Sequence, residues 1–136
     1  LIRYAQILLG YAEALNEMGE TDKAVEQINK IRARCGAQLL NSNVSTTVKG
    51  QADMRERIRN EYYWELGGEN QMYWNELRWR TWKDKKFRNN TNGLMQMWGT
   101  TTYTWYWQGE HCWNWPIPAS EREKNPNLTQ NEGWFD

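Results

Sequence analysis

The sequence predicts a mainly α-helical fold, in which a helical hairpin and further helices precede a small Trp-rich β-hairpin and irregular C-terminal loops. Apolar residues recur at three- and four-residue spacing, the period of a buried helix face, through most of residues 4–36 and 51–80. Residues 102–107 consist only of Thr, Tyr and Trp, the β-branched and aromatic residues that are typical of strands. Pro116 and Pro118 then close the hairpin, because proline has no N–H to donate to a strand pair.

The composition indicates one folded domain whose core depends on aromatic residues. At 136 residues the chain falls in the size range of a single domain. Leu, Ile, Val and Phe are scarce, but ten Trp and seven Tyr supply the apolar surface that those residues would otherwise provide. The 17 basic and 17 acidic residues are interspersed and balance to zero net charge, so we expect no nucleic-acid partner.

The first 36 residues predict a pair of helices. The apolar positions of the first helix, which we assign to one face, are Tyr4, Ile7, Leu8, Tyr11, Leu15 and Met18. Gly19 ends this helix, and Thr21 is the expected cap of the second. The buried stripe of the second helix is predicted to be Ala24, Val25, Ile28, Ile31 and Cys35. Small residues at Ala12 and Ala24 are expected where the two helices approach closely.

This helix pair, residues 1–36, matches one tetratricopeptide-type unit, and such a unit cannot bury its own apolar face without stacked neighbours. Leu1 begins inside a helical pattern, and no signal segment opens the chain. We therefore expect residues 1–136 to be the C-terminal fragment of a larger domain whose upstream part packs against them.

Helix is predicted to resume at Gln51, after a Ser-, Thr- and Asn-rich loop at residues 41–50. The apolar face of this third helix is Met54, Ile58, Tyr62 and Leu66. Gly67 and Gly68 interrupt it, and a fourth helix is predicted from there to Arg80. The polar stretch that follows, residues 81–97, is predicted to be irregular.

The β-hairpin is predicted at residues 98–118. Its strands are Thr102–Trp107 and Cys112–Trp115, joined by a turn at Gln108–His111. Cross-strand pairing in this arrangement would bring Trp105 and Trp107 close to the two tryptophans of the second strand.

Four motifs span nearly the whole chain. They are Tyr11-Ala12-Glu13-Ala14-Leu15-Asn16 with Ile28-Asn29-Lys30-Ile31-Arg32, Ile58-Arg59-Asn60-Glu61 with Arg78-Trp79, Trp115-Pro116-Ile117-Pro118, and Asn125-Pro126 with Gln130-Asn131-Glu132-Gly133-Trp134. The last lies in a tail, residues 119–136, that is predicted to be coil with one turn near Ser120. In this order and at this spacing, the motifs resemble the C-terminal region of the SusD/RagB family of outer-membrane nutrient-binding lipoproteins.

The resemblance implies a helical, lipid-anchored protein on the cell surface of a bacterial outer membrane. Members of this family bind oligosaccharides or other nutrients without catalysis and deliver them to a SusC-like TonB-dependent transporter, in the context of polysaccharide utilization. The lipid anchor and most ligand-contacting aromatics are then expected upstream of Leu1. No cofactor and no metal are implied.

Three carboxylates, Glu61, Glu65 and Glu69, recur every four residues and therefore lie on one helix face. Glycoside hydrolysis needs two carboxyl groups on opposite sides of the scissile bond, whereas neighbours on one helix project in parallel. We expect these carboxylates to form ion pairs instead of a catalytic site. The arginines expected to pair with them are Arg55, Arg57, Arg59 and Arg78.

His111 and Cys112 are the adjacent pair that could suggest thiol chemistry. Neighbouring residues of a strand point to opposite faces, so we expect the imidazole and the thiol to diverge. Cys35 and Cys112 are too few for a disulfide framework and lack the spacing of a metal site, and the sequence leaves open whether they meet. The sequence thus predicts neither an enzyme nor a metalloprotein.

The aromatic residues of the predicted hairpin are the candidate ligand site. Sugar rings expose C–H faces that pack on Trp and Tyr, and an exposed aromatic platform would suit a glycan. In a chain with few aliphatic residues, the same aromatics are also candidates for the core. The residues that we expect to bind ligand are Trp98, Tyr103, Trp105, Tyr106 and Trp107.

The leading functional hypothesis is non-catalytic binding of glycans or other nutrients at the cell surface for delivery to a transporter. The alternative is a tetratricopeptide-type protein–protein interaction module without its own ligand site, which would present its helical pair to a protein partner.

Overall fold

The computed structural model describes the backbone of residues 2–87, 94–98 and 101–135, and the side chains of residues 2–84 and 106–135. The chain divides into two compact units, Leu1–Met72 and Tyr73–Asp136. Within the described residues, no helix has the length and apolar character needed to cross a membrane.

The first unit contains three α-helices and a short 3-10 helix. These are α1 (Tyr4–Glu17), α2 (Thr21–Arg34), the 3-10 helix Val44–Thr46 and α3 (Gln51–Leu66). All three α-helices were predicted, and α3 begins and ends at the expected residues. Gly19 has a φ of +85°, a left-handed conformation that lets the chain turn between α1 and α2.

The helices of the first unit pack around a core of small and branched aliphatic residues. Ala12 of α1 and Ala24 of α2 are completely buried, which confirms that small residues occupy the close approach of the two helices. The core side chains with at most 2% exposure are Leu9, Ile28, Ile31, Met54, Ile58 and Leu66. This core is aliphatic, and the one tryptophan of the first unit, Trp64, is 70% exposed and lies outside it.

The apolar face of α1 differs from the prediction. Leu8 and Leu15 are buried, but the other predicted positions are more than half exposed. We call these four exposed residues, Tyr4, Ile7, Tyr11 and Met18, the α1 stripe. Because α2 and α3 cover one side of α1, the apolar positions that lie farther round the helix stay outside this contact.

Asn16 joins the ends of the three α-helices. Its side chain is fully buried at the end of α1 and donates a 3.0 Å hydrogen bond to the Gln51 carbonyl of α3. The Gln51 side chain returns a 2.6 Å bond to the Asn16 carbonyl. The Thr21 hydroxyl donates to the Asn16 side chain at 3.1 Å. Thr21 is therefore the first residue of α2 and not its cap, because its hydroxyl is used by Asn16.

Asn29 of α2 fixes the loop that follows the helix. Its side-chain oxygen accepts from the Leu40 N–H at 2.8 Å, and its amide donates to the Leu40 carbonyl at 3.2 Å. One side chain thus satisfies both backbone groups of Leu40, which is itself buried. The Asn of the second helix motif therefore has a structural role.

The second unit contains short elements joined by loops. These are α4 (Met72–Arg78), α5 (Trp82–Phe87), β1 (Leu94–Trp98), β2 (Thr101–Trp105), the 3-10 helix Glu110–Trp113 and α6 (Ala119–Lys124). Helix α6 confirms the turn predicted near Ser120. The irregular structure predicted for residues 81–97 is wrong where α5 and β1 form.

The β-hairpin has a different partner strand from the one predicted. β2 pairs antiparallel with β1, with Leu94 opposite Trp105 and Trp98 opposite Thr101. The predicted second strand, Cys112–Trp115, instead begins with a 3-10 turn. Only two residues, 99–100, separate β1 from β2 in the sequence, whereas six residues, 106–111, separate β2 from Cys112. The prediction that the chain turns at Gln108–His111 to pair with Cys112–Trp115 was therefore wrong.

Candidate functional site

Two exposed tryptophans lie side by side in the second unit. Trp74 of α4 is 62% exposed, and Trp115, in the loop before α6, is 64% exposed. Their ring centroids are 6.4 Å apart and the ring planes are tilted by 30°. We refer to these residues as the Trp74–Trp115 pair. Large aromatic surfaces at this exposure are typical of ligand or partner contacts.

Tyr73 supports both members of the pair. Its hydroxyl accepts a 3.2 Å hydrogen bond from the Trp115 indole N–H. Its ring makes edge contacts with Trp74, at 5.1 Å between centroids, and with Trp82 of α5, at 4.8 Å. Edge-to-face contacts of this kind satisfy the opposite charges of ring faces and edges. Tyr73 therefore fixes the orientation of the exposed rings.

The backbone around Trp115 is held by side chains of the C-terminal tail. Gln130 accepts from the Ile117 N–H at 2.7 Å and donates to the Ile117 carbonyl at 3.1 Å. Asn131 donates to the Trp115 carbonyl at 2.6 Å, and the Trp134 indole donates to the Asn114 carbonyl at 2.8 Å. The tail motif thus binds the Trp-Pro-Ile-Pro motif through side chains, which gives a physical reason for both sequences.

We expect Gln130→Ala to loosen the segment that carries Trp115. The substitution removes two hydrogen bonds to Ile117, and we expect it to lower the free energy of unfolding by about 1–2 kcal/mol. The Ile117 amide should also exchange its hydrogen faster, which mass spectrometry or NMR can measure. Thr129→Ala is the matched control, because Thr129 is the neighbouring residue of the same C-terminal tail and is exposed. Equal exchange rates in the two variants would contradict the role of Gln130.

A second aromatic cluster surrounds Trp107. The Trp107 and Trp113 rings are 4.7 Å apart, and the Arg80 guanidinium lies 4.9 Å from the Trp113 ring centre. Glu110 accepts from Lys83 at 2.7 Å and from the Trp113 indole at 2.8 Å. The hydrogen bonds from Lys83 and then Trp113 lower the pKa of Glu110, and Glu110 in turn raises the pKa of Lys83. The charges of Glu110 and Lys83 are therefore paired with each other inside this cluster.

The five ligand-binding residues predicted from the sequence fall into two groups. Trp98, Tyr103 and Trp105 lie in the paired strands, where the structure describes the backbone and not the side chains. Tyr106 follows β2 and is 53% exposed, whereas Trp107 is 8% exposed. The predicted closeness of Trp107 and Trp113 is confirmed, although it arises between a loop and a 3-10 turn. Trp74 was not among the predicted ligand residues, because its position in a predicted helix does not indicate whether its ring is exposed.

His111 belongs to the 3-10 turn and not to a strand. Its ring packs edge-on against Trp134 with 4.7 Å between centroids. A side chain at Gly133, whose φ is +85°, would collide with His111, so only glycine fits there. Cys112 and Cys35 are both free thiols. The argument from strand alternation was therefore wrong, and the observed contact of His111 is a packing contact.

The three carboxylates of the second motif form ion pairs, as predicted, but with other arginines. Glu61 pairs with Arg32 at 2.7 Å, and Glu65 pairs with Arg3 at 2.9 Å and with Arg34 at 2.7 Å. The remaining carboxylate, Glu69, also pairs with Arg3. The partners thus come from α2 and the residue before α1; α3 carries Glu61 and Glu65, whereas Glu69 lies in the turn after it.

The arginines expected at these carboxylates have other described partners. Arg55 pairs with Glu17, Arg57 with Asp53 and Arg59 with Glu56. The last acidic residue of α1 and the first half of α3 supply these acids. Spacing along one helix identified the charged face but not which tertiary neighbour approaches it.

A groove of about 340 Å³ lies at the start of α1 and is lined by Arg3, Tyr4, Ala5, Leu8, Lys30, Ile31 and Arg34. Its three cations have partners within the chain, since Arg3 and Arg34 bind Glu65 and Lys30 donates to Gln27 at 2.7 Å. Glu65 compensates the charges of Arg3 and Arg34, whereas Gln27 is a neutral acceptor and leaves the charge of Lys30 in place. Among the described residues, no three or more His, Cys, Asp and Glu side chains are grouped as a metal site would need.

The chain is similar to proteins of one family. The sequence model described as "SusD family" matches residues 1–134. SusD-like protein P38 of Formosa agariphila is 33% identical over 99 residues, which cover 71% of this chain and 19% of that protein.

Solved structures show the same likeness. A SusD-like protein from Bacteroides fragilis superposes with a TM-score of 0.74 at 26% identity, over 98% of this chain and 25% of that one. Two solved chains of BT4246 superpose with a TM-score of 0.73, at 21% identity in the selenomethionine form and 23% in the other, over 98% of this chain. They cover 24% and 23% of those chains, and at this identity the likeness is one of fold. The chain therefore spans about a fifth to a quarter of the length of these relatives.

Proposed function

Because the chain belongs to the SusD family, we propose that it is part of a protein that binds glycans or other nutrients at the bacterial cell surface. The match confirms the resemblance stated from the four motifs, and the mainly helical fold is confirmed as well. SusD-family proteins are non-catalytic binding proteins, and the proposed mechanism is accordingly capture without bond-making.

The observation that carries this proposal is the aromatic surface of the second unit. Within Tyr73–Asp136, Trp74, Tyr106 and Trp115 are each more than half exposed. Aromatic rings in water offer flat apolar faces to the C–H groups of sugars. Trp98, Tyr103, Trp105, Tyr106 and Trp107 remain the proposed ligand residues of the hairpin region.

We further propose that the captured nutrient is delivered to a SusC-like TonB-dependent transporter and that the protein is a lipoprotein of the outer membrane. The family supports this proposal, because its members are nutrient-binding proteins of that surface. Glu61, Glu65 and Glu69 are all held in ion pairs with arginine, which supports the non-catalytic mechanism. Upstream sequence of the same protein would complete the fold and carry the anchor.

Glycan panels with the intact protein test the proposal, together with the variants Tyr106→Ala, Trp105→Ala and Trp107→Ala. Tyr106→Ala should weaken glycan binding about fivefold to tenfold, because it removes an exposed ring without disturbing buried contacts. Trp107→Ala removes a buried side chain, so its binding must be compared with its thermal stability. Unchanged affinity in all three variants would remove the hairpin region from the site. Product formation on prolonged incubation with glycans would contradict the non-catalytic mechanism.

The α1 stripe favours a second candidate function, a tetratricopeptide-type protein–protein interaction module. Its residues Tyr4, Ile7, Tyr11 and Met18 follow the three-, four- and seven-residue spacing of a helix face and are all more than half exposed. An uncharged stripe of this type fits an amphipathic helix of a partner protein. This candidate predicts capture of a protein partner by the intact protein, with no binding of any glycan in the same panel.

A further inference from the structure

The Trp74–Trp115 pair has the properties of a built sugar platform. We propose that these two rings stack against consecutive pyranose rings of a neutral oligosaccharide. This inference rests on the proposed function, because it names the ligand class and a contact surface for glycan capture. Trp115 belongs to the aromatic residues of the predicted hairpin, and the inference adds Trp74 to them.

The first support is exposure. Trp74 and Trp115 are 62% and 64% exposed, so the two rings do not cover each other although their centroids are only 6.4 Å apart. The tryptophan that packs into this unit behaves differently, since Trp107 is 8% exposed. Two neighbouring indole faces left in water form a contiguous apolar surface, and such surfaces mark binding sites.

The second support is the rigidity of both rings. Trp115 is held at its indole N–H by the Tyr73 hydroxyl and at its carbonyl by Asn131. Pro116 follows it directly and restricts the backbone further. Trp74 lies on α4, with the Tyr73 ring against it at 5.1 Å. A platform that is ordered before binding loses little conformational entropy when a ligand arrives, which favours affinity.

The third support is the chemistry around the pair. The side chains that hydrogen-bond to Trp115 are Tyr73 and Asn131, and both are uncharged. The charged groups described in this unit near other aromatics are used elsewhere, since Lys83 pairs with Glu110 and Arg80 lies over Trp113. The two ring planes are tilted by only 30° to each other. Neutral pyranose faces match this surface better than a charged ligand does.

Isothermal titration calorimetry of the intact protein against a panel of neutral oligosaccharides tests the platform. Trp74→Ala and Trp115→Ala should each weaken binding of the recognised glycan by about tenfold, because each removes one stacking face. Trp64→Ala is the matched control, since Trp64 is 70% exposed and lies in the first unit. It should leave the affinity within about twofold.

Trp74→Phe and Trp115→Phe keep a smaller aromatic face and should lose less affinity than the alanine variants. They replace the alanine variants in the test if an alanine substitution lowers the melting temperature so far that the protein is unfolded under the binding conditions. Binding by the wild-type protein that persists within about twofold in all four platform variants would overturn the platform and leave the proposed function standing. An equal loss in Trp64→Ala would also overturn it. Absence of binding by the wild-type protein to every neutral saccharide would overturn the platform and would also reject the binding of neutral glycans within the proposed function.

Discussion

Arg32→Ala is expected to destabilise the protein by about 3 kcal/mol, because it leaves the buried carboxylate of Glu61 without its cation. The two side chains pair at 2.7 Å, with 15% and 8% of their surfaces exposed. Arg32 also donates to the Gln38 carbonyl at 2.7 Å and lies 5.8 Å from the Trp64 ring centre. Urea unfolding of wild-type and variant protein measures the difference.

The loss in Arg32→Ala should depend on pH. Burial raises the pKa of Glu61, and the Arg32 charge partly opposes this rise. Without Arg32 the pKa of Glu61 in the folded state should therefore rise further above its unfolded value. A carboxyl with a raised folded pKa stabilises the fold when protonated, and this contribution is lost as pH rises through the folded pKa. The variant should thus recover part of its stability as pH falls from about 7 to about 5.

Other carboxylates make the opposite contribution to the pH dependence of stability, but this contribution is the same in the wild type and in Arg32→Ala. Arg55 lowers the pKa of Glu17, and a backbone hydrogen bond from Lys49 followed by Arg57 lowers that of Asp53. Their contributions are lost as pH falls, so the difference between variant and wild type isolates Glu61. Arg32→Ala combined with Glu61→Gln should remove the pH dependence of the difference. A deficit that stays constant with pH would contradict the burial of the Glu61 charge.

Arg34→Ala is the matched control for Arg32→Ala. Arg34 also lies on α2 and pairs with a glutamate of α3, but its side chain is 59% exposed. Water screens the exposed Arg34 charge, and Glu65, which is 9% exposed, keeps Arg3 as its second partner, so the expected cost is below about 1 kcal/mol. Similar losses in the two variants would indicate that burial does not separate these ion pairs.

Ile28→Ala is expected to cost about 3 kcal/mol of unfolding free energy, because it opens a cavity in the core of the first unit. Ile28 is fully buried in α2 beside the close approach of Ala12 and Ala24. Rigid helices on both sides cannot collapse into the space, so the lost contacts are not replaced. Chemical denaturation with the slope held common to both proteins measures the change.

Ile7→Ala makes the same chemical change on the α1 stripe, where Ile7 is 55% exposed. Its expected cost is within about 0.5 kcal/mol, as for other exposed positions. A cost equal to that of Ile28→Ala would contradict the exposure of the stripe and show that another part of the intact protein covers it. The two variants therefore compare the loss of unfolding free energy at a buried position of the core with the loss at an exposed position of the α1 stripe.

The helices of the first unit were predictable because local signals agree with tertiary packing. Gly19 permits the turn after α1, and the stripe of Ile28 and Ile31 does become the buried face of α2. The second unit was less predictable, since its strands are short and β1 carries a weak alternation. Distance along the chain decided the pairing, because β1 lies nearer to β2 than Cys112–Trp115 does.

The candidate site divides in the same way. The richness in Trp and the motif order were evident from sequence, and they identified the family. Tertiary contacts decided which rings face water. Trp74 and Trp107 are the same residue type, but they are 62% and 8% exposed.

The sequence by itself determined the helical period, the turns at glycine and the aromatic supply, because these follow from backbone geometry and side-chain chemistry. Only the tertiary structure decided that Arg3, Arg32 and Arg34 neutralise the carboxylates of α3. It also decided that Gln130 and Asn131 hold the loop of Trp115. Such contacts join residues far apart in the chain, and their energies depend on burial, which no local pattern contains.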